Sequence, residues 1–512
     1  MISNWKLTLS CLVLTLPAAV RADDVVTDWN KTIRTIIQHE GLGMNHKANP
    51  GWSTRSMAML NGAIYDVFQA VDRTHVPFLV PAQADPNTSL EAAVHQAAYE
   101  ILLHSYQDPN NNVDEQALVQ ADYDDRMALI TDPLAKSNGM ALGSFIAQKY
   151  ILNRSTDGAD VSNPFPSIPG PGQWRPRPGQ EAWGPDWGSV QSFAVPNLGP
   201  VDSIQQYIDE LPPPPQPGQP GYREAFDQVK EYGDVNRYTT LDATETEQMD
   251  VGLFWGYDRP SMGPPPVLFL RNLNEIAAAT GNTPQQNARM FAIASVAMAD
   301  AAIAAWDAKY EYNFWRPIAA IQEAGNDGSA FDDGDPNTVG DVDWEPLGAP
   351  GGDPNSATDD FTPPFPAWTS GHATMGSAVF KALELFYETN DFDEIDGMDD
   401  GDMFTLTSQE FGADGLAGMS RQYKTFTMTQ PLDVGIEAWD DSPEGENAIS
   451  RIYLGIHWIF DQVDGTTLGN RIAGFVAGNY FQAIPEPSAM LLALMGMASV
   501  AARRRRTGNR EL

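Results

Sequence analysis

The chain alternates between long amphipathic stretches and stretches that are dense in proline and glycine. From Asp28 to about Asn153, apolar residues recur every three or four positions, which is typical of helices with one buried face. This pattern predicts helices at Ser53–Asp72, Leu90–Tyr106, Asp114–Ile130 and Lys136–Leu152. It returns at Tyr222–Tyr232, Asp242–Tyr257, Val267–Ala279 and from Thr283 to about Trp315. With no β-rich region or repeat, the chain is predicted to be all-α: two helical bundles of four-helix type with long Pro/Gly-rich loops.

Between about Thr156 and Tyr222 the helical period is lost, and proline, glycine and tryptophan dominate. A run such as Pro212–Pro215 cannot belong to a long helix. A disordered linker is one interpretation, but the many aromatic residues favour an extended segment wrapped against the helices. We therefore divide the body into a helical region at 23–155, this wrap or linker at 156–222, and a helical bundle at 223–483.

Residues 1–22 have the pattern of a signal peptide. Lys6 precedes an apolar run of 14 residues, Leu7 to Val20, and small residues then form a plausible cleavage site. The run is short for a membrane anchor, which is the alternative interpretation. The single cysteine, Cys11, lies inside this run, so the mature chain would contain none. Disulfides, thiol catalysis and a cysteine metal site are thereby excluded.

Residues 484–512 form a tail of three parts. Ile484-Pro485-Glu486-Pro487 is followed by an apolar stretch, Ala489–Ala502, and by the basic run Arg503–Arg506. This tail resembles the PEP-CTERM sorting signal of Gram-negative bacteria. The resemblance implies export, transient retention in the inner membrane and processing by an exosortase, with the cell surface, the extracellular matrix or the periplasm as destination. An unprocessed tail anchor is the alternative, although the apolar stretch is short for a stable span.

The net charge is −37, and both terminal segments are basic, so the body between them is more acidic still. Such a surface argues against nucleic acid or anionic lipid as a partner and makes any cluster of cations conspicuous. The acidic loops Gly325–Asp360 and Asp391–Asp402 lack EF-hand spacing and are interpreted as solvated loops. Five N-terminal histidines lack a metal-ligand spacing and are interpreted as ordinary surface or core residues: His39, His46, His75, His95 and His104.

The first conspicuous cluster of cations is Lys309 with Arg316-Pro317. Seven residues are nearly two helical turns, so Lys309 and Arg316 are predicted to share one helix face, about 10.5 Å apart along the axis. Their long side chains could then converge on one anion, with Pro317 ending or kinking the helix.

A second cluster is Thr369-Ser370-Gly371-His372, which precedes the helix-like run Ala373–Tyr387. Either Thr369 or Ser370 can cap this helix. The backbone N–H groups of the first turn would then form an anion site, with His372 on its rim as an acid or base.

The third cluster, Ser450 to Asp461, contains Arg451 and His457. Because His457 and Asp461 are four apart, the carboxylate of Asp461 could reach the imidazole along a helix and fix its tautomer. Arg451 and His457 are six apart, so both reach one site only if the helix breaks near Gly455. After His104 the chain has only two histidines, His372 and His457, and each lies in one of these clusters.

Together, Lys309-x6-Arg316-Pro317, Ser370-Gly371-His372 and Ser450-Arg451-x5-His457-x3-Asp461 resemble the three-part signature of vanadium-dependent haloperoxidases and the related acid phosphatases. The resemblance implies a helical-bundle core and a vanadate cofactor bound through its metal by His457, with His372 as acid or base. It further implies that the vanadate oxygens are held by Lys309, Arg316, Ser370, the Gly371 N–H and Arg451.

The same resemblance implies hydrogen peroxide and halide as substrates and hypohalous acid as product, which would react with small organic compounds. Lys309 would polarise the bound peroxide. Trp306 and Phe365 match aromatic pocket positions of chloroperoxidase-type members, whereas bromoperoxidase-type members tend to have histidine in place of Phe365. Thr369 departs from the usual proline of the family.

Two other functions stay open. A phosphomonoesterase could use the same pocket, with His457 as nucleophile, Asp461 as its orienting residue and His372 as acid. A non-enzymatic exported matrix or surface protein could retain the fold. The sequence determines neither the halide nor the oligomeric state, so a homodimer is left open.

Overall fold

The computed structural model describes residues 24–42, 47–106, 113–168, 170–239, 241–259, 262–325, 332–350, 362–430 and 441–485. The predicted signal peptide, nearly all of the predicted sorting tail and His46 lie outside these ranges. The N-terminal half contains helices α1 Val25–Leu42, α2 Pro50–Asp72, α3 Leu90–Ser105, α4 Val113–Ala128, α5 Pro133–Arg154, α6 Ile204–Asp209, α7 Tyr222–Tyr232 and α8 Ala243–Phe254. The C-terminal half contains α9 Pro265–Thr280, α10 Pro284–Tyr312, α11 Pro317–Glu323, α12 Gly371–Tyr387, α13 Pro443–Tyr453 and α14 Ile459–Asn479. The all-α prediction is confirmed.

Helix starts follow the capping residues in the sequence. Asn49, Ser89 and Asp132 cap α2, α3 and α5, each accepting a hydrogen bond from a backbone N–H of the first turn. Proline follows at the first helical position in α2 and α5, where its missing N–H costs nothing. These local signals explain why the predicted and observed boundaries agree closely in this region.

The predicted continuous helix through Arg316 is wrong. Helix α10 ends at Tyr312, because Asn313 adopts a left-handed conformation with φ 48° and its N–H donates to the Lys309 carbonyl. Arg316 is instead the N-cap residue of α11, and Pro317 begins that helix rather than ending one. Lys309 and Arg316 therefore do not share a helix face.

One antiparallel hairpin was not predicted. It consists of β1 Phe404–Phe411 and β2 Ala417–Tyr423, and alternate residues of β1 are buried. Two of the buried positions, Ser408 and Glu410, are polar, so the strand lacks the apolar alternation that marks a half-buried strand.

Helix α10 is the central element of the core and packs against α2, α12 and α14. Among the described helices it is the one long and apolar enough to cross a membrane, but 94% of its apolar window is buried inside the protein. Its alanine-rich sequence lets neighbouring helices approach closely on several sides. The first two charged clusters of the sequence, one at the C-terminal end of α10 and one before α12, are thus brought to one end of this core.

The Pro/Gly-rich segment between α5 and α7 runs along the helices. The Trp174 N–H donates to the Asn313 carbonyl at 2.8 Å, and the Trp315 N–H donates to the Gly172 carbonyl at 3.1 Å. Further along, the Trp183 N–H donates to the Pro364 carbonyl at 3.0 Å. The segment is therefore tied to the turn after α10 and to the residues that precede α12.

Helix α14 crosses α12 at very short distance because glycines face the contact. A Cβ atom added to Gly469 would lie 2.2 Å from the Thr374 carbonyl oxygen, and one added to Gly465 would lie 3.0 Å from the Ser370 carbonyl oxygen. The close approach allows the Ser370 N–H to donate to the Asp461 carbonyl at 3.0 Å. This contact joins the second and third cluster.

We expect Gly469→Ala to destabilise the protein by about 1–3 kcal/mol, because the added methyl group meets backbone atoms that cannot move independently. Gly474 lies on the same helix, and a Cβ atom added there would have no other atom within 4 Å, so Gly474→Ala is the control. It should be neutral or stabilising by up to about 1 kcal/mol, since alanine favours a helix. Thermal unfolding followed by circular dichroism measures both. Equal unfolding midpoints for the two variants would contradict the packing argument.

Candidate oxyanion site

The three charged clusters meet at the N-terminus of α12. Lys309 comes from the last turn of α10, and Arg316 from the start of α11. Arg451 lies in the last turn of α13, and His457 lies between α13 and α14. All four side chains are at most 2% exposed. Residues that are separated by up to about 150 positions thus form one buried site.

The required break before His457 is present. Helix α13 ends at Tyr453, and Gly455 adopts φ 69°, a left-handed conformation that favours glycine. A Cβ atom there would also lie 2.5 Å from the Gly233 carbonyl oxygen. The turn redirects the chain so that Arg451 and His457 face the same pocket.

The four-residue spacing predicted that Asp461 reaches His457 along one helix. In the structure, Asp461 instead reaches His457 across the start of α14. His457 precedes Trp458, the N-cap residue of α14, and Asp461 lies in the first turn of that helix. The Oδ2 atom of Asp461 accepts the Trp458 N–H at 3.0 Å and lies 2.7 Å from His457 Nδ1. Burial raises the pKa of Asp461, while the Trp458 N–H and the nearby Lys309 oppose that shift.

The contacts of His457 define its tautomer. Its Nε2 atom lies 2.9 Å from Arg316 Nη1, and a guanidinium can only donate, so Nε2 carries a lone pair. Nδ1 consequently bears the proton and donates it to Asp461. Burial, together with Arg316 and Lys309, holds the pKa of His457 well below its usual range. The imidazole is therefore neutral and presents an unprotonated nitrogen to the pocket.

Lys309 is held by the loop that precedes α12. Its Nζ donates to the carbonyl oxygens of Pro366, Ala367 and Thr369 at 3.0, 2.9 and 2.5 Å. All three N–H groups of the ammonium are thus engaged with backbone. Burial and the charge of Arg316 lower the pKa of Lys309 well below its usual value.

Arg316 and Arg451 each have one guanidinium nitrogen without a hydrogen-bond partner among the described residues. Arg316 donates to the Phe365 and Ile456 carbonyls at 2.9 and 2.8 Å, and Arg451 Nη1 contacts His372. The Nη2 atoms of both are buried without a hydrogen-bond partner among the described residues. A buried guanidinium N–H without an acceptor is costly, and an anion between the two arginines would satisfy both.

Ser370, not Thr369, caps α12. Its hydroxyl accepts the Ala373 N–H at 3.4 Å. Thr369 instead contributes its carbonyl to Lys309, and its hydroxyl lies 3.3 Å from that of Thr374. A Cβ atom on Gly371 would lie 3.2 Å from the Trp306 ring, so glycine allows the indole to pack against the first turn.

His372 lies at the outer edge of the site and is 8% exposed. Arg451 Nη1 lies 2.7 Å from its Nε2 and 3.2 Å from its Nδ1, and the Gly256 carbonyl lies 3.2 Å from Nε2. Because a guanidinium can only donate, Nε2 of the neutral ring accepts from Arg451, and the Gly256 carbonyl can accept a proton from Nε2 only when the ring is protonated. Burial and the charge of Arg451 hold the pKa of His372 well below its usual range, so it is neutral when no anion is present.

Asp258 is a site residue that sequence reasoning missed. Its Oδ2 atom lies 3.7 Å from Arg451 Nη1, and its side chain is 15% exposed. Burial raises the pKa of Asp258 to about 6, against the opposing effect of Arg451 and Arg316. A single aspartate in so acidic a chain has no distinguishing signal, and only the turn between α8 and α9 brings it here.

An aromatic wall adjoins the cations. Trp306 and Phe365 have ring centroids 4.9 Å apart, and the Phe365 ring lies 5.2 Å from Lys309 Nζ. Sequence reasoning missed the third member, Trp183, whose ring packs edge-on against Trp306 at 4.9 Å and lies 6.2 Å from Phe365. Its position in the Pro/Gly-rich segment gave no hint of this contact.

The remaining histidines lie elsewhere. His95 accepts the Trp29 indole N–H at 2.9 Å and is buried in the N-terminal core. Within the described residues, no group of three or more His, Cys, Asp and Glu side chains is arranged to hold a metal ion. The site brings together three cations, two carboxylates and two neutral imidazoles, a set with excess positive charge that suits an anion.

We expect Asp461→Leu to weaken the preference of His457 for the proton on Nδ1, because Nδ1 then has no acceptor and only Arg316 still disfavours a proton on Nε2. Asp461→Asn should keep it, since the amide oxygen can accept from both His457 and Trp458. Nitrogen-15 NMR of the imidazole distinguishes the two: the unprotonated Nε2 signal of the wild type should persist in Asp461→Asn and shift toward averaged values in Asp461→Leu. An unchanged signal in Asp461→Leu would contradict the assignment.

Comparisons with known proteins agree with this arrangement. Residues 289–485 match the family model described as the VCPO second helical-bundle domain. The vanadium chloroperoxidase of Curvularia inaequalis is 33% identical over 274 residues, which cover 47% of this chain and 42% of that protein. The matched part is therefore less than half of that relative. Residues 483–506 match the PEP-CTERM protein-sorting motif.

Two solved structures share the fold over most of the chain. A bacterial vanadium-dependent iodoperoxidase superposes with a TM-score of 0.66 at 20% identity, covering 90% of this chain and 97% of that one. A holo-type bacterial vanadium-dependent chloroperoxidase superposes with a TM-score of 0.55 at 14% identity, covering 90% and 99%. The resemblance predicted from the three clusters is confirmed: residues 289–485 match the VCPO second helical-bundle domain, the chain shares the helical fold of bacterial vanadium haloperoxidases, and residues 483–506 match a PEP-CTERM motif.

Proposed function

We propose that this protein binds vanadate in the oxyanion site and oxidises halide with hydrogen peroxide to hypohalous acid. The main support for the proposal is that two features occur in one site. The Nη2 atoms of Arg316 and Arg451 are buried without a partner among the described residues, and Nε2 of His457 is unprotonated. A metal oxyanion requires both features, since its oxygens need donors and its metal needs a lone pair. The proteins named above are two chloroperoxidases and an iodoperoxidase, which supports this class of reaction.

The residues present fit vanadate. The Nη2 atoms of Arg316 and Arg451 would donate to its oxygens, together with Ser370 and the Gly371 N–H at the start of α12. His457 Nε2 would ligate the metal, and Asp461 would keep that nitrogen unprotonated. Bound vanadate supplies a Lewis acid that activates peroxide without changing its own oxidation state.

His372 is suited to moving the proton. Its pKa is depressed in the empty site by burial and by Arg451, so an anion that neutralises Arg451 raises this pKa. The imidazole can then take a proton from incoming peroxide at the nitrogen next to Arg451 and return it to the leaving oxygen. Its slight exposure gives it contact with solvent that His457 lacks.

Lys309 would contribute positive charge rather than act as a freely moving donor. Its ammonium already donates to three carbonyls, so polarising bound peroxide requires it to release one of them. The aromatic pair Trp306 and Phe365 would form the halide side of the site, as weakly hydrated anions favour a surface of ring edges beside a buried cation.

We further propose that the protein is exported and retained at the inner membrane until an exosortase processes its tail. The support is the PEP-CTERM match at residues 483–506. Most of this tail lies outside the described residues. Export would place the enzyme where its acidic surface meets solvent ions and where released oxidant does not damage the cytoplasm.

We expect His457→Ala to lose stable vanadate binding, because it removes the lone pair that would hold the metal. His372→Ala should retain vanadate and lose turnover by about 10²–10⁴-fold, the usual contribution of a general acid–base group. The vanadium-to-protein ratio after reconstitution and gel filtration measures the first effect, and halide oxidation at saturating vanadate the second. Equal vanadate affinity in wild type and His457→Ala would overturn the assignment of His457.

A pair of assays tests the reaction class. We expect halide- and peroxide-dependent chlorination or bromination of a dye by vanadate-loaded protein, and loss of that activity after exhaustive removal of vanadate. Hydrolysis of an aryl phosphate, inhibited by vanadate, is measured in parallel because phosphate and vanadate are isosteric. Halogenation that persists without vanadate would overturn the proposal, and phosphatase activity alone would favour a phosphomonoesterase.

A further inference from the structure

A surface hollow of about 420 Å³ lies on the outer side of the aromatic wall. Three indole rings line it, those of Trp52, Trp183 and Trp187. Trp187 links the other two, with ring centroids 6.2 Å from Trp52 and 6.0 Å from Trp183. The rings are tilted by 53° and 33°, and Trp52 and Trp187 are only 9% and 5% exposed, so the half-buried Trp183 offers the ring surface on which a planar guest would stack.

The hollow continues along the Pro/Gly-rich segment. Ser162, Glu181 and Ala182 line both this hollow and a second one of about 430 Å³, which extends to Phe165. The two together form an elongated trough, bounded by residues 159–165, 176 and 181–187 and by the start of α2. We call it the tryptophan trough.

Trp183 separates the trough from the oxyanion site. One side of its ring lines the trough, while its edge-on contact with Trp306 at 4.9 Å joins it to the aromatic pair beside Lys309. Its backbone is fixed by the hydrogen bond to the Pro364 carbonyl, and Tyr310 donates its hydroxyl proton to the Trp183 carbonyl. A molecule stacked on Trp183 is therefore one indole ring away from the proposed halide side of the site.

The charge of the trough has one sign. Among its lining residues the ionisable side chains are Asp160 and Glu181, both exposed. Neither forms an ion pair with another residue in the described part of the chain, and no lysine or arginine lines either hollow.

The Trp52 ring already contacts Lys47 and Arg55, at 5.2 and 5.0 Å. Arg55 is itself paired with Asp157. The two exposed carboxylates beside Trp183 therefore favour a cationic aromatic guest, since carboxylates and indole rings both attract positive charge.

We propose that the tryptophan trough binds planar aromatic compounds that carry a positive charge, and presents them for halogenation. The evidence for binding is the trough itself, whereas the halogenation step depends on the proposed function. In that step the O–X bond of hypohalous acid breaks as a ring carbon–X bond forms, and the displaced ring proton leaves with the hydroxide as water. The trough thus indicates the class of organic substrate. A guest held there could react with hypohalous acid before the acid diffuses away.

Binding is tested without vanadate, by isothermal titration calorimetry with two indoles of opposite charge. N,N,N-trimethyltryptammonium should bind at least about tenfold more tightly than indole-3-propionate. The two carboxylates of the trough attract the cationic indole and repel the anionic one. The double variant Asp160→Asn/Glu181→Gln should remove this preference. The control Asp400→Asn/Glu224→Gln removes two exposed carboxylates elsewhere and should retain it. Equal affinities for the two indoles in wild type would overturn the proposal.

Presentation for halogenation is tested by competition between the same two indoles. The quaternary nitrogen cannot be halogenated, so both react at the ring, and added hypobromous acid gives their intrinsic reactivity ratio. Vanadate-loaded wild type with bromide and peroxide should shift the product ratio toward the cationic indole, and Asp160→Asn/Glu181→Gln should restore the intrinsic ratio. A wild-type product ratio equal to the intrinsic reactivity ratio would contradict the proposal that the trough presents its guests for halogenation. Absence of any halogenation, with charge-selective binding intact, would instead count against the proposed function alone.

Discussion

The structure depends on the burial of three cations at one end of the helical core. Lys309, Arg316 and Arg451 are removed from water, and the carboxylates within reach, Asp461 and Asp258, do not balance them. Burial without full compensation lowers the pKa of Arg316 to about 9 and that of Arg451 to about 10. The fold holds this unfavourable charge because carbonyl groups and two neutral imidazoles solvate it. An oxyanion would relieve it, so its binding would offset the free-energy cost of burying the cations.

Neutral histidines follow from the same constraint. Each imidazole lies against an arginine, and a second positive charge so close in a dry site is strongly disfavoured. This gives a physical reason for the two different roles that the resemblance implies for these histidines. Asp461 holds His457 with its lone pair inward, whereas the His372 ring has Arg451 and the Gly256 carbonyl as hydrogen-bond partners among the described residues, and neither fixes a proton on it.

Sequence reasoning located the residues of the site better than it located their geometry. The helix starts and the break at Gly455 follow from caps and glycine, which are local signals, whereas the meeting of the three clusters was implied by the resemblance. The shared face of Lys309 and Arg316 was wrong, because Asn313 ended the helix in a conformation that any spacing argument overlooks. Asp258 and Trp183 were missed for another reason: each reaches the site from a loop whose path only tertiary packing decides.

The hydrogen bonds of Lys309 also bear on how its variants would be interpreted. Its ammonium draws three carbonyl oxygens of residues 366–369 toward one point, which makes it the internal scaffold of the loop that presents Ser370 and Gly371. Replacing Lys309 would leave those carbonyls mutually repelling and without a donor, and the loop would relax away from them. A loss of activity would then combine a missing charge with a misplaced helix cap, so kinetics at this position measure the architecture of the site as much as its chemistry.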